Sequence, residues 1–404
     1  MTPLAPDARV VVIGTGQGGF QVAASLRQEG FAGPVTLIGE EPGLPYQRPP
    51  LSKAYMADGE AERLLLKPAG FYDRSALTLV EARATGIDRE TRVVQTEGGA
   101  AHPYDHLVLA TGARAFRPPV PGLDADEVVE LRTLADAALL RDRLARTRHA
   151  IVVGGGFIGL EFAAMARAAG VAVTVLETAP RLMARALSPA MSDWFLAAHR
   201  AMGTEVLLGA CVEAVENGRG VRLTDGRMVA GDLVLAATGV RPNAELAAAA
   251  GLTVENGVVV DGRLLTSDPA ISALGDCAAF PLPEGGRVRL ESVQAAVDHA
   301  RHIARRLAKG EEADYAAVPW FWSDQGKHKL QIAGLGTGAE EVVALPQAEG
   351  QAVVLLFRAG RLAAVETVNA VPQHMAARKL IGAPQALLEA AGYDLKDALK
   401  TGAA

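Results

Sequence analysis

Up to Gly239, short runs of consecutive apolar residues closing on glycine alternate with longer Ala-rich stretches whose apolar positions recur at helical spacing. Val10-Val11-Val12-Ile13 opens onto Gly14-Thr15-Gly16-Gln17-Gly18-Gly19. A helical pattern follows, and a second run, Val35-Thr36-Leu37-Ile38-Gly39, ends at Glu40. The plan then repeats. Ile151-Val152-Val153 opens onto Gly154-Gly155-Gly156-Phe157-Ile158-Gly159, and after its helix the run from Val171 to Leu176 ends at Glu177. Each half later reaches a strand closing in Ala-Thr-Gly, at Thr111-Gly112 and at Thr238-Gly239. Unbroken apolar runs suit strands covered on both faces of a parallel sheet. Two such β-α-β units predict an α/β protein with two doubly wound dinucleotide-binding domains, built like glutathione reductase.

Pro118-Pro119-Val120-Pro121-Gly122 reads as a stiff crossing out of the first unit, and Val240-Arg241-Pro242-Asn243 as the crossing back. The second domain, residues 116–239, is therefore expected as an insertion into the first, which comprises 1–115 and 240–320. Beyond Pro319 three strand-like runs, Val342 to Leu345, Val353 to Phe357 and Leu362 to Val368, precede helical segments ending near Leu399. They predict a C-terminal α+β domain over 321–404 with an antiparallel sheet.

The glycine spacing has a physical reading. Gly14 and Gly154 permit the tight turn, and Gly16 and Gly156 let backbone approach a pyrophosphate. Gly19 and Gly159 let the helix pack closely on the strand. Phosphates would then sit on N–H groups around Gln17, Gly18, Phe157 and Ile158, at the positive end of each helix dipole. Glu40 and Glu177 stand where a carboxylate accepts from a ribose diol, and Glu177 in that position repels a 2′-phosphate, favouring NADH over NADPH. Arg181 and Arg185 follow closely, and cations there could accommodate such a phosphate. A single glycine cluster could serve helix packing alone; two, each followed by an acid about twenty residues on, point to nucleotides.

Composition adds exclusions. The 404 residues are 50% hydrophobic and 21% charged, a globular balance. With 46 acidic against 40 basic residues the chain carries -6, without long basic blocks, which argues against nucleic-acid binding. Cys211 and Cys277 are the only cysteines, so neither a disulfide framework nor a zinc ribbon is expected. That usage suits a reducing compartment, no apolar stretch suffices to span a bilayer, and the cytoplasm is the expected location. His299 and His302, three apart in a helical run without converging acids or cysteines, read as a solvated helix face rather than metal ligands.

With these pieces in place, the sequence resembles the FAD-dependent, NADH-dependent ferredoxin reductases of bacterial oxygenase systems, the putidaredoxin reductase and palustrisredoxin reductase group. The resemblance runs nearly end to end. Its most specific segments are PYQRPPLSK, GFIGLEFAA, TSDPAISALGDCA, RLESVQ and PWFWSDQGKHKLQIAGL. It implies FAD in the first domain, contacted by the Gly16–Gly19 turn, Glu40, Arg48, Lys53, Ala84, Arg132, Asp276 and Val293. NADH in the inserted domain would meet the Gly154–Gly159 turn, Glu177 and Arg185. It also implies that Lys53 pairs with Glu161 beside the flavin N5, a cation stabilising charge on the reduced ring. Trp322, with Trp320 as competitor, resembles the aromatic lying against the flavin. Outside that resemblance Lys53 and Glu161 read as a surface lysine and a first-turn helix acid, Asp276 as a helix N-cap, and the tryptophans as core packing.

No plausible dithiol exists in the chain, so electrons would leave directly from the flavin, singly, to a small iron–sulfur ferredoxin that feeds a monooxygenase or dioxygenase. Arg301 and Arg305, four apart, share a helix face, as do His302 and Arg306. Lys67, Lys327 and Lys329 fall in segments that border the flavin in the family. A positive rim of Lys67, Arg301, Arg305, Lys327 and Lys329 would steer an acidic two-iron ferredoxin. Competing readings are a rubredoxin reductase, an NADH oxidase, and an NADH-sensing flavoprotein resembling apoptosis-inducing factor.

Overall fold

The computed structural model describes residues 2–282 and 285–402. They form two compact units. One runs to Arg48 and continues through Ala61–Arg114 and Val240–Ala317; the other comprises Pro49–Glu60, Ala115–Gly239 and the chain from Val318 on. The inserted and C-terminal segments thus share a unit, and Pro49–Glu60 joins them.

The first unit is organised by a five-stranded parallel sheet in the order Ile271–Ala273, His106–Leu109, Val10–Ile13, Val35–Gly39, Leu77–Glu81. Val10 pairs with both Val35 and His106, and all of Val10–Ile13 is buried, as an uninterrupted apolar run requires. Helices Gln17–Gln28 and Val293–Lys309 pack against each other. The longer one starts at Ser292, whose hydroxyl accepts the Ala295 N–H at 3.0 Å, and stops at Gly310 in the left-handed region, φ +73°. The same unit carries a small antiparallel sheet of Ala84–Asp88, Val93–Thr96 and Ala101–Pro103.

One expectation is overturned on the helix Val293–Lys309. His299 and His302 are buried, at 0% and 7% exposure, and so is Arg306; Arg301, Arg305 and Lys309 keep the solvated face. His299 Nδ1 accepts the Gly275 N–H at 3.2 Å, and its ring meets Phe280 and Tyr315 edge-on. Burial pushes its pKa down to about 3, so the imidazole is neutral and packs as a flat, half-polar core residue. Arg306 donates to the Ser272 hydroxyl at 2.5 Å, and the same hydroxyl meets His106 Nε2 at 2.8 Å.

The second unit holds a parallel sheet in the order Glu205–Leu208, Ala172–Glu177, His149–Val153, Leu233–Ala236, with the helix Phe157–Ala168 after the second glycine turn. Its C-terminal part is a five-stranded antiparallel sheet: Trp320–Gln325, His328–Gly334, Arg361–Val368, Ala352–Arg358, Glu341–Leu345. Three of these strands were expected from the sequence, and the first two extend the sheet. Along Trp320–Gln325 the pleat sorts side chains. Phe321, Ser323 and Gln325 share one face, with Phe321 against Phe157 at 4.6 Å between ring centres. Trp320 and Trp322 share the other, 5.6 Å apart. Glu366, almost wholly buried, accepts from the Ser188 N–H at 2.7 Å and hydroxyl at 2.6 Å, tying the sheet to the N-cap of helix Pro189–Ala201.

Candidate active site

The two glycine turns are built alike. Gly14 and Gly154 both take φ +113°, and a Cβ on either would lie 2.1 Å from Ala110 O or 2.3 Å from Ala237 O. Those carbonyls belong to the two Ala-Thr-Gly segments, which close down on the turns. A Cβ on Gly19 or Gly159 would meet the carbonyl of Gly14 at 1.9 Å or of Gly154 at 2.4 Å, so these two glycines serve close packing. Gly16 and Gly156 differ: a Cβ there would meet nothing within 4 Å. Each turn therefore leaves open space at the N-terminus of a twelve-residue helix, where first-turn N–H groups have no carbonyl partner in the helix itself. Both turns fit a pyrophosphate.

Around the first turn, Thr15 and Gly16 line a pocket with residues 41–46 and Arg48. Arg48 is held by Glu41 and by the Tyr46 hydroxyl, which itself donates to Glu41. Glu40 is exposed, with Arg83 at 3.7 Å. The Ala82 N–H donates to Gly39 O at 2.9 Å, which carries Arg83 and Ala84 alongside Glu40. Thr111 Oγ1 donates to Asn243 O at 2.6 Å, and the Asn243 amide returns a bond to Thr111 O at 2.9 Å. The Asn243 N–H reaches Gly112 O, also at 2.9 Å. Under Gly18 lie Leu274 and Ala296. Asp276 sits inside the 3₁₀ turn Gly275–Cys277, not at a helix N-cap, close to the first turns of the helix that Val293 begins. Gln17, Gly18, Glu40, Arg48, Ala84, Thr111, Gly112, Asp276 and Val293 thus belong to one unit. Lys53, Arg132 and Trp322 belong to the other.

At the second turn Glu177 accepts the Gly155 N–H and the Ala179 N–H, both at 2.7 Å, one on each carboxylate oxygen. The Thr178 hydroxyl also reaches Oε1, at 3.3 Å, and Oε2 keeps acceptor capacity for a ribose hydroxyl. Arg181 is spent on structure: it donates to Leu187 O at 2.6 Å, Ala184 O at 2.6 Å and Ser192 Oγ at 2.9 Å. Arg185 is exposed and reaches the Gly239 α-carbon region. Ile158 is among the exposed large apolar residues, and Phe157 packs on Phe321.

Lys53 and Glu161 are brought together. The ammonium donates to Glu161 Oε2 at 2.9 Å and to Pro49 O at 3.3 Å. Three groups that sequence reasoning did not single out complete the carboxylate's shell. The Ser52 hydroxyl donates to Oε2 at 2.5 Å; the Ser323 hydroxyl and the Asp324 N–H reach Oε1 at 2.7 and 3.3 Å. A buried carboxylate with this many donors is held in one rotamer. Ser323 lies 162 positions from Glu161, so no local spacing could reveal it. On the neighbouring face Trp320 is engaged by Arg378, whose guanidinium carbon lies 4.8 Å from the ring centre, and by His374.

Both cysteines are free, Cys211 exposed and Cys277 buried, and they lie in different units. Burial raises the Cys277 pKa and its Sγ points at Leu274 O, which makes it a poor nucleophile. Among the described residues no cluster of His, Cys, Asp or Glu is placed to hold a metal, and no helix is long and apolar enough to cross a membrane.

Two α/β nucleotide cradles followed by an antiparallel C-terminal sheet define a nucleotide-dependent oxidoreductase. The chain belongs to the pyridine nucleotide-disulphide oxidoreductase family, matched over residues 8–300, and residues 320–403 match the reductase C-terminal domain. It is similar to rhodocoxin reductase of Rhodococcus erythropolis, 48% identical over 92% of this chain and 89% of that protein. Putidaredoxin reductase of Pseudomonas putida is 40% identical over 89% of this chain and 88% of its own length. Among solved structures, the ferredoxin reductase for the CYP199A2 system of Rhodopseudomonas palustris superposes with a TM-score of 0.93 at 44% identity, over 97% of this chain and all of that one. A chain of the covalent putidaredoxin reductase–putidaredoxin complex gives 0.92 at 36% identity, over 98% of this chain and 99% of that one.

Proposed function

We propose that this chain is an FAD-dependent NADH:ferredoxin oxidoreductase serving an oxygenase. The observation that carries the proposal is a pair of open phosphate cradles of the same geometry in a chain whose two thiols are both free, one of them buried. The family name speaks of disulphides, yet this chain has no dithiol to relay electrons. FAD, when bound, supplies the conversion of a two-electron hydride into single electrons.

The chain's own residues supply the rest. The Gly14–Gly19 turn, Glu40, Arg48, Ala84, Thr111, Gly112, Asp276 and Val293 are proposed to hold FAD, joined by Lys53 and Arg132. Domain boundaries for these roles follow the sequence: 1–115 with 240–320 for FAD, 116–239 for NADH and 321–404 for the C-terminal domain. The Gly154–Gly159 turn, Glu177, Arg185 and Gly239 are proposed to hold NADH. Commitment of Arg181 to backbone carbonyls supports a preference for NADH over NADPH, since that cation is not available to a 2′-phosphate. Glu161 fixes the Lys53 ammonium, which stabilises negative charge on the flavin ring. With Trp320 engaged by Arg378 and His374, Trp322 is proposed as the aromatic against the flavin. The partner is an acidic two-iron ferredoxin, met by exposed Lys67, Arg301, Arg305, Lys327 and Lys329. The cytoplasm is the proposed compartment.

The deciding experiment reconstitutes the purified chain with FAD and follows NADH turnover with several acceptors: a two-iron ferredoxin, a rubredoxin and oxygen. Turnover fastest with the ferredoxin supports the assignment. A chain that takes up no flavin, or one that passes electrons faster to oxygen or rubredoxin, overturns it.

A further inference from the structure

Resting on the reading that Lys53 acts at the flavin, we infer that Ser323 is a positioning residue for that lysine, acting through Glu161. A chain of buried hydrogen bonds carries the inference. His199 Nε2 lies 2.8 Å from Gln325 Oε1, which can only accept, so the imidazole donates. The Gln325 amide nitrogen lies 3.2 Å from Ser323 Oγ and can only donate. The Ser323 hydroxyl proton is thereby directed onto Glu161 Oε1, 2.7 Å away. From the opposite side Lys53 donates to Oε2. His199, Gln325 and Ser323 are all 0% exposed and Glu161 is 5% exposed, so water does not compete for these bonds.

The polarity of this chain matters more than its length. Every donor points toward Glu161, which ends the chain as an acceptor on both oxygens. With Oε1 taken by Ser323 and the Asp324 N–H, rotation of the carboxylate about its terminal bond is blocked, and Oε2 stays toward Ser52 and Lys53. Aligned bonds of this kind also reinforce one another in a buried setting. Ser323 therefore does for Glu161 what an outer hydrogen-bond partner does for a metal ligand: it fixes orientation without touching the reacting atoms. Strand Trp320–Gln325 has two faces with two tasks, Ser323 on one and the tryptophans on the other.

The test compares Ser323→Ala and Ser323→Cys, the second keeping the packed volume while giving up the strong donor. Rapid mixing of the FAD-loaded protein with NADH reads the limiting rate of flavin reduction and the apparent NADH Kd. Both variants are expected to slow the limiting rate about tenfold, with Kd changed less than twofold. In a Lys53→Ala background the same substitutions should slow reduction by less than a further twofold, because the group through which Ser323 acts is gone. Denaturation of the flavin-free protein gives a readout independent of turnover. There the double variant should lose at least fivefold less in folding equilibrium constant than the product of the single losses. A loss in Ser323→Ala that Ser323→Cys does not share assigns the effect to packing and overturns the inference. So do wild-type rates in both variants while Lys53→Ala is slow, and an undiminished effect in the Lys53→Ala background. An unchanged rate in Lys53→Ala itself removes the underlying reading, and the role of Ser323 falls with it.

Discussion

Lys53 and Glu161 stand 108 positions apart in sequence and 2.9 Å apart in the fold, joined by an ion pair whose carboxylate side is buried and whose ammonium side is partly open, at 23% exposure. That asymmetry suits a cation meant to act on something beyond its partner. Replacing Lys53 by Ala is expected to slow reduction of the bound flavin by NADH about 10- to 100-fold, the range for removal of one charge-stabilising donor. Lys53→Arg should recover part of the rate. Stopped-flow absorbance of the flavin checks both.

Removing the acid instead has a structural cost. Glu161→Ala leaves the Ser52 and Ser323 hydroxyls and the Lys53 ammonium without their common acceptor. A loss of about 3 kcal/mol in stability is expected, and less for Glu161→Gln, which keeps an acceptor oxygen. Chemical denaturation of the flavin-free chain measures it.

The glycines divide into two experimental classes. Gly16→Ala should fold, since its Cβ enters open space, but bind FAD more weakly, since that space is the one phosphates need. Gly19→Ala should fail to fold normally, because its Cβ would sit 1.9 Å from the Gly14 carbonyl. Melting temperature and flavin content separate the two, and the pair Gly156 and Gly159 should behave alike toward NADH.

Acid should loosen the first unit through its histidines. Burial holds both His106 and His299 at pKa values of about 3, with Arg306 and His302 adding to the effect respectively. The unfolded chain takes up those protons near pH ~6.5, so the contribution to stability is complete above that value. It is lost as pH falls from there toward about 3. Between pH ~7.5 and ~5 a loss of about 4 kcal/mol is expected, and His106→Gln with His299→Gln should flatten the curve. Denaturation midpoints across pH test this.

Arg301 and Arg305 are exposed, but Asp298 lies 3.7 Å from one and Glu311 3.3 Å from the other, which tempers their field. Arg301→Glu combined with Arg305→Glu should slow ferredoxin reduction about tenfold at low salt and leave reduction of a neutral quinone unchanged. Raising ionic strength to ~0.5 M should shrink that difference.

What could be read from the sequence depended on how each residue signals burial. Val10–Ile13 and residues 150–153 announce themselves because a strand covered on both faces must be apolar throughout. Trp320–Gln325 and His328–Gly334 do not, since they mix aromatics with Ser, Asp, Gln and Lys, and Ser323, Gln325 and Gln331 are buried although polar. His299 and His302 misled for a related reason. Their lack of converging acids or cysteines pointed to a solvated face, yet one helix turn places Arg301 and Arg305 outward and the histidines inward. Asp276 was expected at the flavin, with a helix cap as the alternative; its place inside the 3₁₀ turn Gly275–Cys277 removes the cap. Glu177 and the glycine turns were legible because their spacing is local; Ser323 was not, because its bond to Glu161 closes across 162 positions.

Arg181 carries a lesson for anyone wishing to redesign coenzyme choice. Its guanidinium clamps the Leu187 and Ala184 carbonyls and the Ser192 hydroxyl, and so shapes the segment leading into helix Pro189–Ala201. Turning it toward an adenosine phosphate would dismantle that segment. Engineering acceptance of the phosphorylated dinucleotide must retire Glu177 and draw its positive charge from exposed Arg185 or an added residue, rather than from Arg181.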